Sequence, residues 1–279
     1  MSARYFDGAV SGKTTSTLTI TSGKGGVGKS TLAANLGIWL GRRGNKVLMI
    51  DGDFSMANLD ILFGVRATHT IKDMISGDCE IADVIIEVEP NVDLIPGGSG
   101  IRELTRLSDL DRRLLLDQVT HLPKIYDYLI IDTAPGIDDN VLYLNSAVND
   151  INVIVTPDPA SLADSYALIK VLNQTYKETR FSVICNMVRD EAEGLALFKR
   201  LSDVASKFLC VSLDYKGFVP LDVSLRAATK AQQLIMKTNP QSESGIAIRG
   251  LAQKLKQIDS MERTKGGMQF FWEQVFGVA

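Results

Sequence analysis

The run Thr17-Leu18-Thr19-Ile20-Thr21 leads directly into Gly23-Lys24-Gly25-Gly26-Val27-Gly28-Lys29-Ser30, which fits the pattern G-x-x-x-x-G-K-[ST]. No other feature restricts the fold as much. Glycines let the backbone wrap around an anion with its N–H groups turned inward. A helix must begin where the loop ends, so that its partially positive N-terminus faces the same anion. Leu32, Leu36 and Leu40 supply that helix over Lys29–Arg43, and a strand, loop and helix in this order belong to a parallel sheet with crossover helices. In such a loop Lys29 reaches the β- and γ-phosphates of a nucleotide and the Ser30 hydroxyl ligates Mg2+. A look-alike at Gly12-Lys13-Thr14-Thr15 has Asp7 where the first glycine belongs and no strand before it, so it reads as exposed tail.

The rest of the chain repeats the alternation. Strands are expected at Thr17–Thr21, Lys46–Asp51, Val92–Ile95, Tyr128–Asp132, Asn152–Thr156, Phe181–Asn186 and Leu209–Leu213. Helices are expected at Lys29–Arg43, Ser108–Leu122, Asp139–Asn149, Ser161–Thr179, Ala192–Lys207 and Ser242–Arg263. Val47-Leu48-Met49-Ile50, Leu129-Ile130-Ile131 and Val153-Ile154-Val155 are apolar without interruption, as befits strands covered on both faces. The fold class is therefore α/β: a doubly wound, mostly parallel sheet with helices on both faces. Residues 1–16 read as a polar, flexible tail, 17–263 as one domain, and 264–279 as a hinge with a short amphipathic helix.

Composition narrows the function. With 30 Lys and Arg against 33 Asp and Glu the net charge is −3, so nucleic acid is not the expected partner. Three cysteines, Cys79, Cys185 and Cys210, include no CxxC pair, which argues against a disulfide framework, a zinc ribbon or an iron–sulfur ligand set. The first residues lack the apolar core of a signal peptide, and no run of about 18 apolar residues is available for a membrane span. A cytoplasmic location is expected.

A phosphate loop needs carboxylates near its metal and near the attacking water. Tyr128-Leu129-Ile130-Ile131-Asp132 is an apolar strand ending in a carboxylate suited to hold Mg2+, and Val47-Leu48-Met49-Ile50-Asp51-Gly52-Asp53 ends a second strand with two more. In a doubly wound sheet such strand ends converge on the crevice beside the loop.

With Lys24 in second place, the loop Lys24-Gly25-Gly26-Val27-Gly28-Lys29-Ser30-Thr31 resembles the deviant Walker A motif of the MinD/ParA family, a branch of the SIMIBI NTPases. The likeness continues through Asp51-Gly52-Asp53, Ala57-Asn58-Leu59-Asp60, Asp132-Thr133-Ala134-Pro135-Gly136, Cys185-Asn186-Met187 and Val219-Pro220-Leu221-Asp222. Segments 164–170, 181–187 and 266–273 are similar to the FlhG/FleN group, which regulates flagellar number and placement. The resemblance implies slow, partner-stimulated hydrolysis of ATP with Mg2+. It implies an ATP-dependent homodimer in which Lys24 touches the partner's phosphates, and Asp53 orienting the attacking water. Asp51, Asp132 and Ser30 would surround Mg2+, and residues 25–31 would cradle the phosphates. Asn186 would read adenine, with Pro220 and Asp222 lining the base pocket. The guanine-reading N-K-x-D is absent, since Met187-Val188-Arg189 follows Asn186.

The implied partner is a flagellar transcription activator of the FleQ type. Residues 1–16 contain nothing like the D-Q-A-x-x-L-R segment with which the FlhG branch activates an FlhF-type GTPase, which shifts the expectation away from that GTPase. Two other classes stay open: a ParA-type partitioning ATPase coating DNA, and a metabolic enzyme of the same superfamily.

At about 100° per residue, Met268, Phe271, Trp272, Val275, Phe276, Val278 and Ala279 share one face, opposite Gln269, Glu273, Gln274 and Gly277. A short helix rich in Phe and Trp behind the hinge Thr264-Lys265-Gly266-Gly267 reads as an interfacial membrane anchor. Met268, Phe271, Trp272, Val275 and Phe276 are its expected lipid contacts, made at the inner face of the cytoplasmic membrane in a nucleotide-dependent way. Docking in an apolar groove of the domain is the other reading of the same face.

Overall fold

A computed structural model of the chain describes residues 15–53, 58–97, 116, 118, 119, 122, 124–256 and 267–275. Its strands are β1 (Ser16–Thr21), β2 (Val47–Gly52), β3 (Ile86–Glu89), β4 (Val92–Ile95), β5 (Tyr128–Thr133), β6 (Asp150–Val155), β7 (Arg180–Val188) and β8 (Ser212–Pro220). They form one sheet in the order β3-β4-β2-β5-β1-β6-β7-β8. Every neighbouring pair is parallel except β3 and β4 at one edge. The described helices are α1 (Lys29–Arg42), α2 (Leu59–Phe63), α3 (Ile71–Ile75), α4 (Ile81–Val84), α5 (Asp139–Ser146), α6 (Pro159–Tyr176), α7 (Glu191–Phe208), α8 (Val223–Lys230), α9 (Ile235–Thr238), α10 (Glu243–Lys256) and α11 (Met268–Val275).

The uninterrupted apolar runs do fill both faces. Leu18, Ile20, Met49, Ile130 and Ile154 point to one side, where they share a core with Leu32, Leu36 and Leu40 of α1 and Ile248 and Leu251 of α10. Leu48, Ile50, Leu129, Ile131, Val153 and Val183 point to the other, against Leu144 of α5, Leu168 and Leu172 of α6, and Leu197 and Leu201 of α7. Neighbouring residues of one strand thus belong to two cores, which is what a doubly wound sheet requires.

The sheet edges depart from expectation. The last strand is not Leu209–Leu213 but β8, Ser212–Pro220. The opposite edge carries the unexpected β3, with the sequence Ile86-Glu87-Val88-Glu89. Both segments alternate polar and apolar residues, the pattern of strands with one face partly wet, and a search for continuous apolar runs passes over them. Helix α5 stops three residues before the expected Asn149, whose amide donates to the Thr17 carbonyl at 3.2 Å and to Thr17 Oγ1 at 3.0 Å. Helix α10 is described to Lys256, and residues 257–263 of the expected helix lie outside the described residues, as does most of 108–122. Residues 1–14 of the expected tail also lie outside them, whereas Thr15 is buried and Ser16 opens β1.

Helix α11 packs onto the second face of the sheet. Phe271, Trp272 and Val275 are 1%, 2% and 3% exposed and join the cluster that holds Leu144, Val148 and Leu168. The Tyr143 hydroxyl donates to the Gln274 carbonyl, while Gln269 and Glu273 bond each other at 2.8 Å on the outer face.

Candidate functional site

The chain leaves β1 for β2 on one side and returns from β5 to β6 on the other. The C-terminal end of β1 is thus the switch point of the sheet, where such folds bind ligands. A cavity of about 680 Å³ opens there, a size that suits one nucleotide. The phosphate loop forms one end, with Gly25, Gly26, Gly28, Lys29, Ser30 and Thr31 among the lining residues.

Two glycines are demanded by geometry. Gly28, the residue before α1, has φ +92°, and a Cβ there would lie 2.5 Å from Asn186 Nδ2. At Gly23 a Cβ would lie 2.2 Å from the backbone of Asp164 in α6. The loop is therefore wedged between the ends of β7 and α6. Val27 is buried beneath it, its carbonyl accepting from Asn186 Nδ2 at 2.7 Å.

Lys29 is buried, and its Nζ donates to Ser22 Oγ at 3.0 Å. Burial lowers its pKa, while the carboxylates of Asp132 and Asp53 pull it back up. Lys24 is not among the residues lining the cavity. Its ammonium pairs instead with Asp158, the N-cap of α6.

The three carboxylates do come together. Asp51 on β2 and Asp132 on β5 are directly opposite in register, and Asp53 lines the cavity two residues on. Their environments differ. Asp51 is 1% exposed; Oδ1 accepts from the Asp53 amide at 3.0 Å and Oδ2 from the amides of Asn58 and Leu59 at 2.9 Å each. Burial pushes its pKa up against these bonds. It clamps both ends of the segment that carries Asp53. Asp132 is pushed up to about 7, first by burial, with the Ser30 hydroxyl bonding it in opposition.

Asp132 Oδ1 is buried with no hydrogen-bond partner. An orphaned carboxylate oxygen beside the Ser30 hydroxyl is the donor pair that a hard divalent cation takes. Among the described residues no three His, Cys, Asp or Glu side chains assemble to hold a metal. A cation here would complete its shell with phosphate oxygens and water. The residues present therefore fit Mg2+ bound together with a nucleotide.

At the other end, Asn186, Met187, Pro220, Leu221, Asp222 and Leu225 line the cavity. Besides its bond to the loop, Asn186 accepts the Met187 amide at 2.9 Å, Met187 having φ +58°. The Asp222 carboxylate caps α8 through the Ser224 amide at 2.7 Å. It also takes the Ser244 amide and hydroxyl of α10 at 3.1 and 2.6 Å. Burial pushes its pKa up, but the bonds from Ser244 and Ser224 together outweigh that and hold it at about 2.

Of the expected residues, Gly25, Gly26, Gly28, Lys29, Ser30, Thr31, Asp53, Asn186, Pro220 and Asp222 line one cavity and Lys24 lies outside it, while Ser22, Asp158, Ser244 and the rest of the α8 wall were not expected. Asp158-Pro159-Ala160-Ser161 is legible as a helix start, but nothing in it announces Lys24. Of the expected lipid contacts, Phe271, Trp272 and Val275 are buried in the domain, Met268 is half-buried, and Phe276 lies outside the described residues.

Comparison with known proteins agrees with this geometry. Residues 15–185 match the family model described as an AAA domain. The chain is 35% identical to the antiactivator FleN of Pseudomonas aeruginosa, over 92% of each protein. It is 34% identical to the flagellum site-determining protein YlxH of Helicobacter pylori, over 92% of this chain and 88% of that one. Among solved structures, the septum site-determining protein MinD of Pyrococcus horikoshii, complexed with Mg-ADP, superposes with a TM-score of 0.69 at 26% identity, covering 90% of this chain and 99% of that one. A phosphate loop led by Lys24, strand-end carboxylates at 51, 53 and 132, and likeness over nearly the whole length lead to one conclusion: the chain belongs to the MinD/ParA family of P-loop ATPases and is similar to its flagellar regulators.

Proposed function

We propose that this ATPase is a switch that dimerises around Mg-ATP. As a dimer it attaches reversibly to the inner face of the cytoplasmic membrane through α11, and it regulates flagellar number and placement by restraining a transcription activator. The position of Lys24 carries this reading. It belongs to the phosphate loop yet lies outside the cavity that Lys29 enters, so once released from its exposed pair with Asp158 its charge can reach phosphates held by a second copy. Two such cationic loops repel each other, and triphosphates between them remove the repulsion.

Within one subunit, residues 25–31 cradle the phosphates and Lys29 neutralises them. Ser30 and Asp132 hold Mg2+, and Asp51 keeps the adjoining loop in place. When bound, the metal supplies charge neutralisation at the transferred phosphoryl group. Asp53 orients the attacking water, and Asn186, Pro220 and Asp222 form the adenine end. Hydrolysis is slow until a partner stimulates it, because the reaction serves as a timer.

The buried face of α11 supports a membrane role of limited strength. Each of its buried aromatics is worth about 1.5–3 kcal/mol away from water, so core and lipid offer comparable refuge. A single helix exchanges between them, and two on one dimer bind by avidity. FleN carries the name antiactivator and YlxH that of a site-determining protein, which favours flagellar control over DNA partitioning, as does the net charge of −3.

Liposome co-sedimentation of Asp53→Ala with ATP or ADP tests the proposal, with deletion of residues 268–279 as control. Pelleting with ATP, lost on deletion, is expected. Equal pelleting in both nucleotides, or pelleting of the truncated protein, would remove α11 from its role.

A further inference from the structure

Arg226 lies on α8, one turn after Asp222, and lines the cavity on the wall that continues from Pro220. Among the described residues its guanidinium has no hydrogen-bond or ion-pair partner, and unlike Arg43, Arg66 and Arg200, which share that state, it lines the cavity. Arg42 donates to the Met236 carbonyl, Arg189 pairs with Glu193, and Arg249 bonds Gln241 and lies over the Trp39 ring. An exposed arginine without a partner is ordinary; here it stands at the rim of a nucleotide-sized cavity on a helix anchored at its first turn. Asp222 ties the first turn of α8 to Ser244, which is 0% exposed, through the three bonds given above.

The same end of the cavity presents Met187, Pro220, Leu221, Leu225 and Ile248. These give a flat aromatic base an apolar surface, with Arg226 as a cation beside it. Asn186 already uses its amide nitrogen on the Val27 carbonyl and its oxygen on the Met187 amide, so it has reduced capacity to grip a base. A guanidinium is planar, weakly hydrated and permanently charged, and it stacks on aromatic faces where a lysine does not match it.

We propose that Arg226 stacks on the base of the bound nucleotide and supplies affinity that the phosphate loop does not. This rests on the nucleotide-binding reading above. Calorimetric titration of the full-length protein and of Arg226→Ala and Arg226→Lys, each with Mg-ATP and with Mg-tripolyphosphate, separates the base from the phosphates. The alanine variant is expected to bind ATP about tenfold more weakly, with tripolyphosphate binding unchanged and the lysine variant between. Unchanged ATP affinity would overturn the proposal. An equal loss for both ligands would also overturn it, because Arg226 would then act on phosphate charge. Failure of the unmodified protein to bind either ligand would instead sink the nucleotide reading itself.

Discussion

The ammonium of Lys24 is bound to the carboxylate of Asp158, 134 residues further along the chain. Asp158 also accepts the Ala160 amide at 3.0 Å, so the phosphate loop is pinned to the first turn of α6. The Lys24 bond first, and the Ala160 amide second, hold the Asp158 carboxyl below the usual range. Both side chains remain 39% and 46% exposed, and a pair that wet contributes less than about 1 kcal/mol. It is a weak tether on the loop.

Asp158→Asn keeps an acceptor for the cap and removes the charge that holds Lys24. In the Asp53→Ala background, the ATP concentration needed for dimerisation should fall by up to about fivefold. Sedimentation velocity across an ATP titration measures it. An unchanged or higher requirement would mean that the pair does not restrain Lys24.

Asp51 and Asp53 are separated by one residue but should fail differently. Asp51→Ala leaves three backbone N–H groups without their acceptor, at a cost of about 2–4 kcal/mol. Urea unfolding should register that loss, together with slower hydrolysis from a misplaced Asp53. Asp53→Ala should shift the urea midpoint less than Asp51→Ala does and should block turnover. Equal stability of the two variants would contradict the clamp.

Asp132 makes the ligand-free protein sensitive to pH. Its carboxyl is pushed up to about 7 by burial, against an ordinary 3.8. Between these values the folded state binds a proton that the unfolded state has released. This contribution to stability is therefore complete below about pH 4 and is lost as the pH rises through 7, with a limiting slope of about 1.4 kcal/mol per pH unit. Thermal melts from pH 4 to 8 should show the decline, and Asp132→Asn should flatten it. A slope that survives the substitution would assign it to another group.

Trp272 is 2% exposed in the core shared with α5 and α6, so the C-terminal helix is part of the fold in this state. Trp272→Ala should lower the unfolding free energy by about 3–5 kcal/mol and weaken liposome binding as well. Loss of lipid binding with unchanged stability would mean that α11 is not held in the domain as described.

The central layer of this protein was legible in its residues. Phosphate chemistry demands a strand, a glycine loop and a helix in immediate succession, and strands buried on both faces betray themselves by uninterrupted apolar runs. β1, β2, β5, β6 and β7, and the convergence of Lys29, Ser30, Asp51, Asp53 and Asp132, follow from those local rules. The edges β3 and β8 were missed or misplaced because a strand with one partly wet face alternates, and short helices such as α8 and α9 hold too few turns for a period to emerge.

Tertiary structure alone decided the rest, because it concerns partners distant in the chain. Asp51 and Asp53 look alike in sequence, yet only the fold makes one a backbone clamp and leaves the other facing the cavity. Lys24 carries no mark of Asp158, Asp222 none of Ser244, and Arg226 none of the cavity it lines. Most of all, the apolar face of 268–275 fits lipid and protein equally well by its period. Periodicity records that a face avoids water; only packing shows that in this state it is covered by the sheet.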